Sequence, residues 1–185
     1  MCIRDSNLSI EGLTIDYDPL PFTQGTVVGV AADRSYFDVR IHDGYDLLPD
    51  GSVTRAIIHD ATDRLVKSDT FTRFGSTVST LQGRTVRISN NHSADALATG
   101  DLVSLTRDIL SPHALTIDRS SDVRVEDVTV HASTSFAFFE TGSSGNEYLN
   151  LTVTPGATPE GATEARLLSS NFDTFHSKYL SLIHI

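Results

Sequence analysis

The chain has 185 residues, 39% of them hydrophobic and 21% charged, enough apolar material for one sizeable core and ordinary for a globular protein. A formal net charge of −10, with only 14 lysines and arginines, argues against nucleic-acid binding, because phosphate contacts need a clustered basic face. Apolar runs such as 26–32 fall far short of the roughly 20 residues that a membrane-spanning helix needs, so no transmembrane helix is expected.

At the two ends, residues 1–6 and 180–185 resemble the translated sequencing-adapter remnants that flank some metagenomic genes. They are expected to be artefactual, with the native protein continuing past both. Cys2, the single cysteine, would then lie outside the native segment, leaving no disulfide and no cysteine-ligated metal.

Between those ends the chain repeats itself. Ser6-Asn7-Leu8-Ser9-Ile10-Glu11-Gly12-Leu13-Thr14-Ile15 matches Ser121-Asp122-Val123-Arg124-Val125-Glu126-Asp127-Val128-Thr129-Val130, and a weaker third copy ends at Leu151-Thr152-Val153. Each copy reads as two short strands with alternate side chains turned inward, separated by a bend at Gly, Asn or Asp. One such coil cannot bury its own apolar residues, so successive coils of roughly 20–25 residues must stack. The pattern predicts an all-β chain: a parallel β-helix, or solenoid, with an inserted small antiparallel β subdomain.

In chain order, the first coil is expected at 7–18 and the insertion at 19–108. Within the insertion, runs at 25–30, 36–41, 85–88 and 102–106 alternate or cluster apolar residues between turn formers and read as hairpins, while 60–67 suggests a helical turn. Coils resume over 109–179, with strands near 115–117, 123–125, 128–131, 136–140 and 148–153. A loop rich in Pro, Gly and Thr follows at 154–163, and strands return within 167–177. Long insertions at one corner of a stacked repeat collect on one face, commonly the ligand face.

No local catalytic motif of high specificity is present, so any chemistry must be assembled across coils, where equivalent residues stack about 4.8 Å apart. Asp173 and His176 stand among apolar residues after the 154–163 loop, as a candidate acid or base and a candidate sugar-hydroxyl partner. Glu140 follows Phe136-Ala137-Phe138-Phe139, where desolvation by rings would raise its pKa toward that of a general acid. Asp16 and Asp18 sit two apart before Pro19, which turns both carboxylates to one face of a strand, as a substrate or cation pair or as ordinary turn punctuation. His131 ends its strand as a further candidate for substrate contact or as a polar rim residue.

The segments Leu13-Thr14-Ile15-Asp16-Tyr17-Asp18-Pro19-Leu20-Pro21-Phe22-Thr23-Gln24-Gly25, Phe37-Asp38-Val39-Arg40-Ile41, Gly100-Asp101-Leu102-Val103 and Val125-Glu126-Asp127-Val128-Thr129-Val130-His131-Ala132, with residues 167–176, resemble the α-1,3-galactosidases of glycoside hydrolase family 110. The resemblance implies a right-handed parallel β-helix with an insertion after an early coil. It also implies an extracellular or periplasmic setting, a glycan ending in α-galactose as substrate, and inversion at the sugar with no cofactor or metal. Inversion needs one carboxylic acid to protonate the departing oxygen and one carboxylate to activate water. Asp173 and Glu140 are the first candidates by this resemblance, with Asp16, Asp18, His131 and His176 as substrate-binding candidates.

Two other functions fit the same architecture. A pectate-lyase-like enzyme would need an acidic Ca²⁺ site beside a basic residue, for which Lys67, Lys178, Arg124 and Arg166 are available. A non-catalytic glycan-binding β-helix would need neither, since function belongs to sites and not to folds.

Overall fold

The computed structural model describes residues 1–67, 73–89, 96–106, 113–168 and 175–178. Every regular element among them is a β-strand, and no helix of the described residues is long and apolar enough to cross a membrane. The chain opens with β1 (Cys2–Ile3), β2 (Ser9–Glu11) and β3 (Thr14–Ile15). It then runs through β4 (Phe22–Val30), β5 (Tyr36–Ile41), β6 (Val53–His59), β7 (Arg73–Thr80), β8 (Thr85–Ser89) and β9 (Leu102–Thr106). The last group is β10 (Leu115–Asp118), β11 (Arg124–Glu126), β12 (Thr129–His131), β13 (Phe138–Thr141), β14 (Glu147–Leu149), β15 (Thr152–Thr154) and β16 (Phe175–Lys178).

The first and last groups interleave as three short parallel sheets: β1-β10-β13-β16, β2-β11-β14 and β3-β12-β15. Residues facing across β10/β13, β11/β14 and β12/β15 are 23 positions apart, as in Leu115 with Phe138, Arg124 with Glu147 and Thr129 with Thr152. The two sequence copies pair directly, Ile10 on Val125 and Ile15 on Val130. Residues 2 and 3, within the segment expected to be adapter-derived, pair with Thr116 and Ile117.

Corners between the sheets need a left-handed backbone, which Asn, Asp and Gly adopt at least cost. Asn7, Asp122 and Gly145 hold one corner in successive rows, with φ of 58°, 56° and 69°, and Gly12, Asp127 and Asn150 hold the next, at 65°, 53° and 51°. The expected continuous strand at 148–153 is accordingly broken at Asn150 into β14 and β15. Inside the corners Leu115, Ile117, Val125, Val130 and Phe138 form one core. Each such side chain taken fully out of water contributes roughly 1.5–3 kcal/mol.

The insertion is more than a set of hairpins. Its six antiparallel strands close in the order β4-β5-β8-β7-β6-β9, with β9 hydrogen-bonded to both β4 and β6. Val27, Phe37, Val39, Ile58, Val86, Val103 and Leu105 fill a separate core. Strands β6 and β7 went unread in the sequence. On β6 the residues turned out of the barrel, Arg55, Ile57 and His59, are themselves buried, at 6%, 2% and 1% exposure. The polar-out alternation that marks a half-exposed strand is therefore missing. Residues 60–67 form a hydrogen-bonded turn, closed by Asp60 N–H to Leu65 C=O, and not a helix.

The same corner of the stacked strands carries all the extra chain. After β3 the chain departs into the barrel, and after β12 it turns directly into β13. After β15 it inserts a loop, so that Phe138 and its partner Phe175 are 37 residues apart in place of 23.

Candidate functional site

The loop after β15 and the chain leaving β3 enclose a cleft of about 430 Å³, lined by Asp16, Tyr17, Asp18, Thr158, Pro159, Glu160 and Arg166. The short strand β3 brings Asp16 and Asp18 to its rim, and the loop brings Glu160 and Arg166 to face them. Arg166 is the best fixed of these. Its side chain is 8% exposed. Nη1 and Nη2 donate to the two carboxylate oxygens of Asp16 at 2.8 and 3.3 Å, and Nη1 also donates to Pro155 C=O at 3.3 Å. A planar guanidinium held by both carboxylate oxygens has a defined orientation as well as a neutralised charge.

Burial pushes the Asp16 carboxyl up, but hydrogen bonds from Arg166 and from Tyr17 N–H, with the positive fields of Arg166 and His131, outweigh it and hold the group below the ordinary carboxylate range. Tyr17 is half-buried, and burial raises its phenol against a hydrogen bond with Ser133. His131, at the end of β12, lies behind the pair, its Nδ1 2.8 Å from Thr154 Oγ1 on the next row. Gly156 lets the loop close over this ring. A Cβ there would lie 2.9 Å from Arg166 Nη1 and 2.9 Å from His131 Cβ, on a backbone already at φ +79°.

The structure thus gathers three expected residues, Asp16, Asp18 and His131, and separates them from Glu140 and His176. Glu140 is a correction. Strand alternation turns Phe139 outward and Glu140 inward beside Phe138, leaving Glu140 1% exposed. There it accepts from Asn146 Nδ2 at 2.9 Å and from the Tyr148 hydroxyl at 2.5 Å, in the interior behind the strands, and it does not line this cleft. Tyr148 is pushed upward by burial and by Glu140 itself.

His176 lies on the outer side of the same sheet. Its ring stacks on Phe136 at 4.5 Å and Phe139 at 5.5 Å between centroids, and Phe139 stacks in turn on His113 at 4.3 Å. Rings stacked on one another cover one another's faces, and none of them lines the cleft. Asp173 lies outside the described residues.

Glu160 and the fixed Arg166 complete the site and were not expected beside Asp16. The signal for them was the broken 23-residue spacing itself, since a loop inserted at the corner where the barrel also departs must stand beside it. A second cavity of about 430 Å³, lined by Leu20, Phe22, Leu47, Leu48 and Pro49 with Asp46 as the ionisable member, runs along the barrel rim and offers no acid–base pair.

Chemically, Asp16 is committed to Arg166. Asp18 and Glu160 have no ion-pair or hydrogen-bond partner among the described residues. They are the two carboxylates open to a ligand. No family model matches the chain, and no curated protein matches it.

Proposed function

We propose that the chain is part of a right-handed parallel β-helix glycoside hydrolase, with the barrel as its insertion, acting on terminal α-galactosyl residues of glycans with inversion. The observation that supports this reading is the cleft: two uncommitted carboxylates, Asp18 and Glu160, share it with a guanidinium held in fixed orientation and a tyrosine ring. Inverting hydrolysis uses two carboxyl groups on opposite faces of the sugar, about 6.5–9.5 Å apart, one to protonate the leaving oxygen and one to activate water. Asp18 and Glu160 are assigned to those roles. The Asp16–Arg166 pair and Tyr17 are assigned to hydroxyl recognition and to stacking against the sugar. Asp173 stays a candidate for the acid or base, as the resemblance implies.

The balance of charge favours a neutral glycan over a polyuronate. Three carboxylates against one guanidinium would repel a uronate, the substrate class of the lyase alternative. The test is hydrolysis of nitrophenyl α-galactoside and of a terminal α-1,3-galactosyl disaccharide by the full-length gene product, wild type beside Asp18→Asn, Glu160→Gln and Asp173→Asn. Activity lost by at least about 10²-fold in a folded variant supports the assignment of that residue. Absence of activity on every α-galactoside, with retained glycan binding, would favour the non-catalytic module.

A further inference from the structure

The barrel is covered on one outer face, formed by β4, β9 and β6. Gln24 on that face is fully buried, and its register partner Ser104 is equally so. What covers Gln24 is the loop that bears Arg166. The Gln24 amide donates through Nε2 to Ala165 C=O at 2.9 Å and accepts at Oε1 from Leu167 N–H at 2.8 Å. These are the backbone groups immediately before and after Arg166. The side chain therefore imitates a strand partner, pairing with both sides of a single residue and fixing the direction in which that residue projects.

The amide is itself held in one orientation. His42 Nδ1 lies 3.2 Å from Gln24 Nε2, and because an amide nitrogen can only donate, Nδ1 is the acceptor. His42 Nε2 then carries the proton and donates to Thr26 Oγ1 at 2.8 Å. Flipping the Gln24 amide would set its oxygen against that lone pair and against the Ala165 carbonyl, so the barrel permits one arrangement. Neighbouring contacts keep the loop close enough to be held. The Tyr45 hydroxyl donates to Glu164 C=O at 2.9 Å, and Arg64 Nη2 donates to Ala165 C=O at 2.7 Å. Gly44 approaches so near Ala162 that any Cβ would lie 2.5 Å from its nitrogen.

We propose that Gln24 is a positioning residue for the cleft: through the backbone on either side of Arg166 it aims the guanidinium at Asp16, so the inserted barrel builds one wall of the site. Only the identity of the ligand rests on the glycosidase reading. The aiming of Arg166 does not.

The test reads the Asp16 carboxyl directly, by a ¹³C NMR pH titration of the full chain without ligand. Wild type is compared with Gln24→Ala, Gln24→Glu and Arg166→Ala, with folding checked by thermal melting. Arg166→Ala is expected to raise the Asp16 midpoint by about half a pH unit or more, since an adjacent opposite charge holds a carboxylate down. Gln24→Ala and Gln24→Glu are expected to raise it in the same direction, and Gln24→Ala combined with Arg166→Ala should add nothing beyond Arg166→Ala alone, because both act through one guanidinium. Gln24→Glu keeps the acceptor for Leu167 and loses the donor to Ala165, so it provides a near-isosteric variant should the alanine not fold. An Asp16 midpoint unchanged in a folded Gln24 variant, while Arg166→Ala moves it, would overturn the proposal, as would additive effects of the two. Failure of the protein to hydrolyse any α-galactoside would remove the glycosidase reading and leave this titration result standing.

Discussion

Replacing Glu140 separates a residue that supports the fold from one that does chemistry. Its carboxylate accepts from Asn146 Nδ2 and from the Tyr148 hydroxyl, and the residue is 1% exposed. Glu140→Leu fills similar volume but removes both acceptors, leaving an amide donor and a phenol donor buried among apolar groups. Each stranded donor costs about 1–3 kcal/mol, so the variant should lose about 2–6 kcal/mol. Glu140→Gln retains one carbonyl acceptor and should lose about 1–2 kcal/mol, and Tyr148→Phe, which removes one donor and one bond, a similar amount. Urea denaturation of the three variants at neutral pH measures these differences through the transition midpoint at constant slope. Any hydrolytic activity, measured well below the melting temperature of the weakest variant, should be retained in Glu140→Gln within about threefold. Unchanged stability with activity abolished would refute the reasoning, because it would give Glu140 a catalytic role that its burial denies.

His59 supplies a prediction about acid. Burial holds it down at about 4, while unfolding returns it to its ordinary value of 6.5. A depressed histidine contributes stability that is fully present above the unfolded value and is lost as pH falls toward the folded one. By linkage the folded state should lose about 2 kcal/mol between pH 7 and pH 5 through this residue, and His59→Asn should be less sensitive over that window in paired urea melts. Gly156→Ala should destabilise by about 1 kcal/mol or more, since it combines a positive φ with close contacts to Arg166 and His131, and should weaken ligand affinity in isothermal titration by disturbing the cleft. Phe139→Leu, which breaks the ring column, should cost about 1 kcal/mol beyond its lost area in a thermal melt and leave the KM of any hydrolysis unchanged, because none of its rings lines the cleft.

Local physics wrote much of this architecture into the sequence. The copies at 6–15 and 121–130 pair directly because a short strand flanked by Asn, Asp or Gly dictates both which side chains turn inward and where the chain bends. Strands β5 and β9 were legible to the residue, each an apolar cluster bounded by turn formers. Strand β6 was not, because Arg55 and His59 are buried by contacts that only the folded chain creates. The Arg55 guanidinium, for example, donates to Thr134 C=O across from the barrel. The burial of Glu140 was hidden for a similar reason: after three phenylalanines it reads as a candidate general acid, whereas its inward face follows from its register with Ile117 on β10. Asp16 and Asp18 were legible as a pair, whereas the residues that share their cleft, Glu160 and Arg166, lie more than 140 positions away in a loop with no motif of its own.

The stereochemistry of the first turnover tests the central claim most directly. Proton NMR of nitrophenyl α-galactoside in the presence of the full-length protein resolves the galactose anomer before mutarotation mixes the two. Two carboxylates across the cleft acting through water predict that β-galactose appears first, and that Asp18→Asn and Glu160→Gln each suppress its appearance while keeping the fold. Release of α-galactose first, or full activity in both variants, would contradict the account.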